Sequence, residues 1–308
     1  MKKNALKSFY LLMVLISIAW ISYTINQYLF EQFTYQLKPQ STCLIMGDSH
    51  PKCALNPALI PNRTNISQSA EPYFISQFKL PYLHQNNPHI NTVILGLSPH
   101  NISGFNDFKL SDPLWCTRLF SRNYLFLTAK KIASSNTNWY HYYIAQLQYC
   151  LNLNALYRDN WFKKTFKQGQ TWYPHIGSYR SASGSKLTEL DVCTTINKHY
   201  TYKGKAVNIS KTAINALSNL INYCATNNLK LIIVLPPLHP SYTQKIPTNI
   251  SHKFEQLKNQ LNNDPRLELI DLSTLPLPNN HFADYDHLNN KGAAIIAKKI
   301  AHIIENTY

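Results

Sequence analysis

Short apolar runs that end in turn residues constrain the fold of this chain of 308 residues more than any other feature. Four such runs lie at residues 41–49, 91–97, 230–235 and 267–272. Runs of this length are typical of strands that are buried on both faces of a parallel sheet. Helical patterns separate them, and residues 208–227 place apolar side chains along one face. The alternation predicts an α/β fold with a doubly wound parallel sheet.

The N-terminus carries a second apolar feature of a different kind. After the lysines of residues 1–7, an almost uncharged stretch runs from Ser8 to about Phe30 and reaches the roughly 20 residues of a bilayer-spanning helix. The lack of a good cleavage site favours an uncleaved signal anchor over a removed signal peptide, with a buried helix of a soluble domain as the third interpretation. The lysines place the N-terminus in the cytoplasm. We predict a cytoplasmic tip and transmembrane anchor over residues 1–30, and a single-pass protein of the inner membrane whose domain is periplasmic or extracellular.

The middle of the chain, from about residue 105 to 205, loses this regularity. It holds four of the five tryptophans: Trp115, Trp139, Trp161 and Trp172. Because it is too long for a loop of a compact domain, we predict a large insertion over the carboxyl edge of the sheet. Its aromatic residues either line a sugar-binding groove or pack a cap subdomain.

Charge and cysteine content limit the partners. The formal net charge of +15 attracts polyanions, and anionic lipid and acidic polysaccharide are the ones that an exported domain would meet. A contribution to solubility explains the charge equally well. We expect no nucleic-acid partner and no cofactor. The six cysteines form no Cys-x-x-Cys pair, which disfavours a metal site, although an oxidising compartment permits disulfides.

The first apolar run ends in Gly47-Asp48-Ser49-His50. Because ligands of open α/β sheets bind outside the carboxyl ends of the strands, Ser49 lies where a nucleophile is expected. Serine needs a base, which is usually a histidine oriented by a carboxylate. Asp284 and His287 provide such a pair just before the last helical pattern. Asp286 competes with Asp284 for the orienting role, and the three-residue spacing favours Asp284.

These motifs resemble those of the SGNH/GDSL hydrolase superfamily. Gly47-Asp48-Ser49 is similar to its nucleophile block, and Asp284-x-x-His287 is similar to its last block. The resemblance covers residues 41–104 and 205–305. It implies a flavodoxin-like three-layer α/β/α sandwich over residues 31–308, with Ser49, His287 and Asp284 as the catalytic triad.

The resemblance also implies donors that stabilise an oxyanion, the negative oxygen formed during acyl transfer. The family's second block usually supplies a glycine N–H, and Ser67 stands where that glycine is expected. The third block usually supplies an asparagine amide, which is assigned to Asn101. The backbone N–H of Ser49 would be a further donor.

These observations predict a membrane-anchored serine esterase or acyltransferase. Its expected substrate is an acylated glycan of the cell envelope, most simply one with O-acetyl esters, or another ester. Two alternatives stay open: a non-catalytic glycan-binding or assembly protein on the same fold, and a lipase or thioesterase. The oligomeric state cannot be derived from the sequence.

Overall fold

The computed structural model describes residues 2–34, 37–123, 177–184 and 189–306, together with Leu127 and Ile144. The strands are β1 (Cys43–Met46), β2 (Arg63–Asn65), β3 (Thr92–Gly96), β4 (Thr201–Tyr202), β5 (Lys205–Ala206), β6 (Lys230–Leu235) and β7 (Leu267–Asp271). The helices are α1 (Lys2–Thr34), α2 (Ser49–Ala54), α3 (Tyr73–Asn86), α4 (Phe105–Ser111), α5 (Pro113–Asn123), α6 (Glu189–Tyr200), α7 (Lys211–Thr226), α8 (Pro240–Thr243), α9 (Thr248–Asn262) and α10 (Asn290–Asn306). Short 3-10 helices cover Pro57–Leu59, Pro99–Ile102 and Asn279–His281.

Five of the strands form one sheet in the order β2-β1-β3-β6-β7, and each neighbouring pair is parallel. The prediction of an α/β fold with a parallel sheet is therefore confirmed. The strands β4 and β5 form a separate antiparallel pair. Because the carboxyl ends of parallel strands meet at one edge, the segments that follow β1, β3, β6 and β7 are brought together there.

Apolar side chains are buried on both faces of the sheet. Along β1, Leu44 joins a core cluster with Leu217 of α7, whereas its neighbour Ile45 joins another cluster with Ile296 of α10. Successive side chains of a strand point to opposite faces, so a run of consecutive apolar residues fills both clusters. All four residues of β1 are buried, and this holds the segment that ends at Ser49 in a fixed position.

Helix α1 matches the apolar N-terminal feature. Its segment Asn4–Ile25 is long and apolar enough to cross a membrane, and side chains such as Leu11 and Trp20 are exposed. The structure therefore agrees with a helix of spanning length. Its orientation, its cleavage and the compartment of the remaining chain stay predictions.

Several predicted boundaries differ from the structure. The run of residues 41–49 contains a strand of only four residues, Cys43–Met46, and the run of residues 267–272 contains β7, which ends at Asp271. Strand β2 corresponds to none of the four predicted runs; it ends at Asn65, and a loop connects it to α3.

The predicted insertion is described only in part, by α4, α5, residues 177–184, α6 and the β4–β5 pair. Trp115 belongs to α5, but Trp139, Trp161, Trp172 and the predicted aromatic groove lie outside the described residues. Cys150 lies outside them too. The five described cysteines are free thiols, so the disulfides that the composition permits are not formed among them.

Candidate active site

Ser49 is presented by a tight turn between β1 and α2. Gly47 has φ +127°, and a Cβ atom at this position would lie 2.8 Å from the side chain of Pro51, so the turn requires glycine. Asp48 caps α2, since its Oδ1 accepts a hydrogen bond from the His50 N–H at 2.9 Å. Ser49 is the first residue of that helix, beyond the carboxyl end of β1.

The segment that follows β7 supplies the partners of Ser49. The Nε2 atom of His287 lies 2.7 Å from the Ser49 Oγ. Its Nδ1 atom lies 2.8 and 2.9 Å from the two carboxylate oxygens of Asp284. Asp284 Oδ1 also accepts the backbone N–H of His287 at 2.8 Å, which fixes the turn that carries the ring. The structure thus brings the three predicted triad residues together, while their catalytic roles stay predictions.

A second carboxylate, that of Asp286, contacts the same imidazole. Asp286 Oδ1 lies 3.3 Å from His287 Nδ1, and its side chain is 4% exposed, against 42% for Asp284. Burial opposes the charge on His287. The negative charge of Asp286 and the hydrogen bond to Asp284 nevertheless outweigh burial and raise the pKa of His287 well above its ordinary value. The sequence identified Asp286 only as a competitor of Asp284, whereas the structure shows both at one nitrogen.

Asp286 also joins His287 to further buried histidines. Its Oδ2 atom lies 3.3 Å from the Nε2 atom of His50 and 3.6 Å from that of His199. His199 Nδ1 is in turn 2.7 Å from the hydroxyl of Tyr242. Sequence reasoning missed this network, because His199 follows no apolar run and its partners are far away in the chain.

Beneath the nucleophile turn, Asp48 is held by two side chains of the segment after β3. Its Oδ2 accepts from His100 Nε2 at 2.5 Å and from Asn101 Nδ2 at 2.7 Å. Burial, followed by the charge of His50, lowers the pKa of His100 to about 4. The geometry also favours a neutral His100 imidazole. Within the described part of the chain, the buried Nδ1 atom of His100 has no hydrogen-bond partner, so a proton added there would have no acceptor.

Two groups of side chains have possible metal-ligand atoms within 4.8 Å of one another, namely Asp48, His50 and His100, and His50, Asp286 and His287. The first group includes the Asp48–His100 contact described above. Two of these ligand atoms, Asp48 Oδ2 and His100 Nε2, contact each other directly, so a metal ion at this group would replace that contact.

The two predicted oxyanion donors are engaged elsewhere. The Ser67 N–H donates to Asn65 Oδ1 at 3.0 Å, and the residue is fully buried. The Asn101 amide donates to Asp48, and its oxygen accepts the Ser98 N–H at 2.7 Å. Neither Ser67 nor Asn101 lines the pocket at Ser49. Their assignment is therefore not supported by the geometry: Ser67 serves the loop, and Asn101 positions Asp48.

A different residue of the same loop, Ala70, lies at the pocket. Ala70 has φ +63°, the left-handed conformation that favours glycine, in a turn closed by the Glu71 N–H to Gln68 carbonyl bond of 3.2 Å. It lines the pocket together with Ser69. Within the described residues, the Ala70 N–H donates to no backbone carbonyl. The left-handed conformation that favours glycine thus occurs at Ala70 and not at Ser67.

A buried ion pair stabilises this turn. Lys79 Nζ lies 2.8 Å from Glu71 Oε2 and 2.8 Å from the Ile66 carbonyl, and both charged side chains are fully buried. Ser76 Oγ donates to the other Glu71 oxygen at 2.7 Å. These bonds fix both ends of the loop that carries Ala70.

The pocket beside Ser49 and His287 has a volume of about 310 Å³. Its walls combine aromatic side chains, Phe105 and Trp115, with four basic ones. The basic residues are Lys109, Arg118, Arg180 and Lys198. Fold and site together define an α/β protein with a Ser–His–Asp arrangement and a basic pocket at the carboxyl edge of a parallel sheet.

Comparison with known proteins adds one match. A sequence model of an uncharacterised family matches residues 184–308, which include Asp284 and His287 but not Ser49. No SGNH/GDSL family model matches the chain. No curated protein sequence matches it either.

Proposed function

We propose that this protein is a serine ester hydrolase or acyltransferase of the SGNH/GDSL type. The observation that carries the proposal is the continuous set of hydrogen bonds from Ser49 Oγ through His287 to Asp284 at the wall of a pocket. The strand order β2-β1-β3-β6-β7 supports the flavodoxin-like arrangement, whose strands follow the order 2-1-3-4-5.

The reaction begins with attack of Ser49 Oγ on the ester carbonyl. His287 Nε2 takes the hydroxyl proton as the Oγ–C bond forms, and it returns that proton to the alkoxide as the ester C–O bond breaks. The alcohol leaves, and the acyl group stays on Ser49. A water, or the hydroxyl of an acceptor, then gives its proton to His287 and attacks the acyl-serine, and Ser49 regains a proton as the acid or the new ester is released.

The negative oxygen of each tetrahedral intermediate needs donors at the pocket wall. We assign this role to the backbone N–H groups of Ser49 and Ala70, because both residues line the pocket. A preorganised donor of this kind lowers the barrier by about 3 kcal/mol. Asn101 would contribute indirectly, since its amide holds Asp48 at the start of the nucleophile helix.

The location of the reaction follows from the N-terminal helix. If α1 anchors the chain in the inner membrane, residues 31–308 meet the cell envelope outside the cytoplasm. Acetyl esters of envelope glycans are then the proposed substrate class. The pocket of about 310 Å³ is at the small end of ligand sites, and it suits a short acyl group better than a long one.

A non-catalytic glycan-binding or assembly role is the second candidate. It is favoured by one observation, that Ser67 and Asn101 use their donors within the fold and do not face the pocket. The close contact of Ser49 with His287 argues against it, because a binding protein has no need of an activated serine.

Hydrolysis of p-nitrophenyl acetate, butyrate and palmitate by the full-length chain in non-ionic detergent tests the proposal. We expect turnover of acetate that disappears in Ser49→Ala and persists in Ser218→Ala, which removes an exposed hydroxyl from α7. Preference for palmitate would favour the lipase alternative. Equal rates in wild type and Ser49→Ala would exclude Ser49 as the nucleophile.

A further inference from the structure

The pocket at Ser49 has a charge that the proposed ester chemistry does not require. Four basic side chains line it: Lys109, Arg118, Arg180 and Lys198. The carboxylate of Asp48 also lines it, but its Oδ1 accepts the His50 N–H and its Oδ2 accepts from His100 and Asn101. The cations therefore outnumber the carboxylate, whose oxygens already have donors.

Three of the cations are accessible. Arg118, Arg180 and Lys198 are exposed, and each comes from a different segment: α5, the 177–184 segment and α6. In the part of the chain that the structure describes, neither Arg180 nor Lys198 forms an ion pair with a carboxylate. Like charges that converge from separate segments repel one another, and a bound anion relieves that repulsion.

The buried member of the set is Lys109. Its Nζ donates to Asn106 Oδ1 at 3.0 Å and lies 5.3 Å from the ring centre of Phe105. Burial lowers the pKa of Lys109 to about 8, the charge of Asp48 partly opposes this, and the charge of Lys198 lowers the pKa further. The positive charges are therefore close enough to interact across the pocket.

We propose that the substrate carries an anionic group, a carboxylate or a phosphate, close to its ester and bound by Arg118, Arg180 and Lys198. This inference rests on the proposed function and narrows its substrate class to anionic esters. Arginine binds both groups through paired hydrogen bonds, so the shared chemistry is that of a small oxyanion. Phe105 and Trp115 supply apolar surface beside the charge.

Matched aryl acetates test the inference in the full-length chain in non-ionic detergent. The substrates are para-acetoxybenzoate, para-acetoxyphenyl phosphate and the neutral para-acetoxybenzamide, with kcat/KM divided by the rate of spontaneous hydrolysis. At low salt, we expect the normalised kcat/KM of one or both anionic esters to exceed that of the amide by about tenfold. This is the effect expected of several surface ion pairs that act together. High salt should reduce the difference. The better of the two anions identifies the carboxylate or the phosphate as the recognised group.

A charge-matched pair of triple variants separates the pocket from the general positive charge. Arg118→Gln, Arg180→Gln and Lys198→Gln together should abolish the preference for anions. Lys211→Gln, Lys298→Gln and Lys299→Gln together should retain it, because these exposed lysines do not line the pocket. Equal normalised rates for all three esters, or loss of the preference in both triple variants, would overturn the inference.

A binding measurement distinguishes failure of the inference from failure of the proposed reaction. Calorimetry on Ser49→Ala with phenyl phosphate, benzoate and benzamide needs no turnover. If Ser49→Ala binds either anion and the pocket triple variant does not, the anion site is supported even if no ester is hydrolysed. In that case only the esterase proposal is contradicted. Ester turnover without anion preference, together with no anion binding, would overturn the anion site and leave the esterase.

Discussion

The buried carboxylate of Asp286 lies 3.3 Å from His287 Nδ1, the nitrogen that Asp284 contacts at 2.8 Å. Two carboxylates therefore act on one imidazole, one partly exposed and one almost fully buried. An imidazole stabilised in this way holds its proton more tightly than an ordinary histidine. A general base must be neutral to accept the serine proton. The two carboxylates would therefore set the pH above which His287 can act as a base.

Asp286→Asn should move the acidic limb of the pH dependence of kcat/KM to lower pH. Asp286 raises the pKa of His287, and removal of its charge lowers that pKa, so the neutral base is reached at a lower pH. We expect the acidic limb to move by about one pH unit or more, which is the effect of removing one charge next to a titrating group. Hydrolysis of p-nitrophenyl acetate across the pH range measures it. Glu255→Gln, which removes an exposed carboxylate from α9, is the control, and an unmoved limb in Asp286→Asn would contradict the assignment.

Acid should destabilise the protein through His100. The folded pKa of about 4 lies below the ordinary value of 6.5, so between these pH values the unfolded state binds more protons and stability falls as the pH falls. Full protonation of His100 should lower the free energy of unfolding by about 3 kcal/mol. His199, whose pKa is also lowered by burial, acts in the same direction. His287 acts in the opposite one, since its raised pKa gives stability that is lost as the pH rises through it.

His100→Gln keeps a donor for Asp48 but does not titrate. Its free energy of unfolding, from urea denaturation at pH 7 and pH 4.5, should therefore change less with pH than that of the wild type. His252→Gln removes an exposed histidine from α9 and should retain the wild-type slope. Identical slopes in all three proteins would show that His100 does not titrate abnormally.

Lys79→Met should destabilise the fold by about 3–5 kcal/mol, because it leaves the Glu71 carboxylate buried without its cation. Glu71→Leu combined with Lys79→Met removes both charges and should recover part of this loss. Chemical denaturation followed by tryptophan fluorescence measures both. Lys211→Met, at an exposed position, should have little effect. A loss of less than about 1 kcal/mol of unfolding free energy in Lys79→Met is typical of an exposed ion pair. It would contradict a buried Glu71–Lys79 pair.

Ala70→Gly should stabilise the protein by about 0.5–1 kcal/mol, since the left-handed conformation of Ala70 strains a residue with a Cβ but not glycine. The backbone N–H is retained, so esterase activity should persist. Ser69→Gly, one residue earlier and without a positive φ, should destabilise the protein instead. Destabilisation by Ala70→Gly, as by Ser69→Gly, would show that Ala70 is unstrained.

The sequence predicted the parallel sheet and the convergence at its edge because both depend on local patterns. The apolar run of residues 230–235 matches β6 residue for residue. Ser49 and His287 meet because each follows a strand of the same sheet, β1 and β7, which topology alone predicts.

The oxyanion residues could not be derived in the same way. The family resemblance selected Ser67, whereas we propose Ala70 as the donor because it lies in a left-handed turn at the pocket, and that turn is held by the buried contact of Glu71 with Lys79. The role of Asp286 likewise depends on burial, and the three-residue spacing favoured the more exposed Asp284.

Labelling with a fluorophosphonate probe tests the central claim, that His287 activates Ser49. The full-length chain should gain one probe, and peptide mapping should place it on Ser49. Labelling should vanish in Ser49→Ala, fall strongly in His287→Gln and persist in His252→Gln. Failure of the wild-type chain to react, or equal labelling of Ser49 with and without His287, would contradict the account.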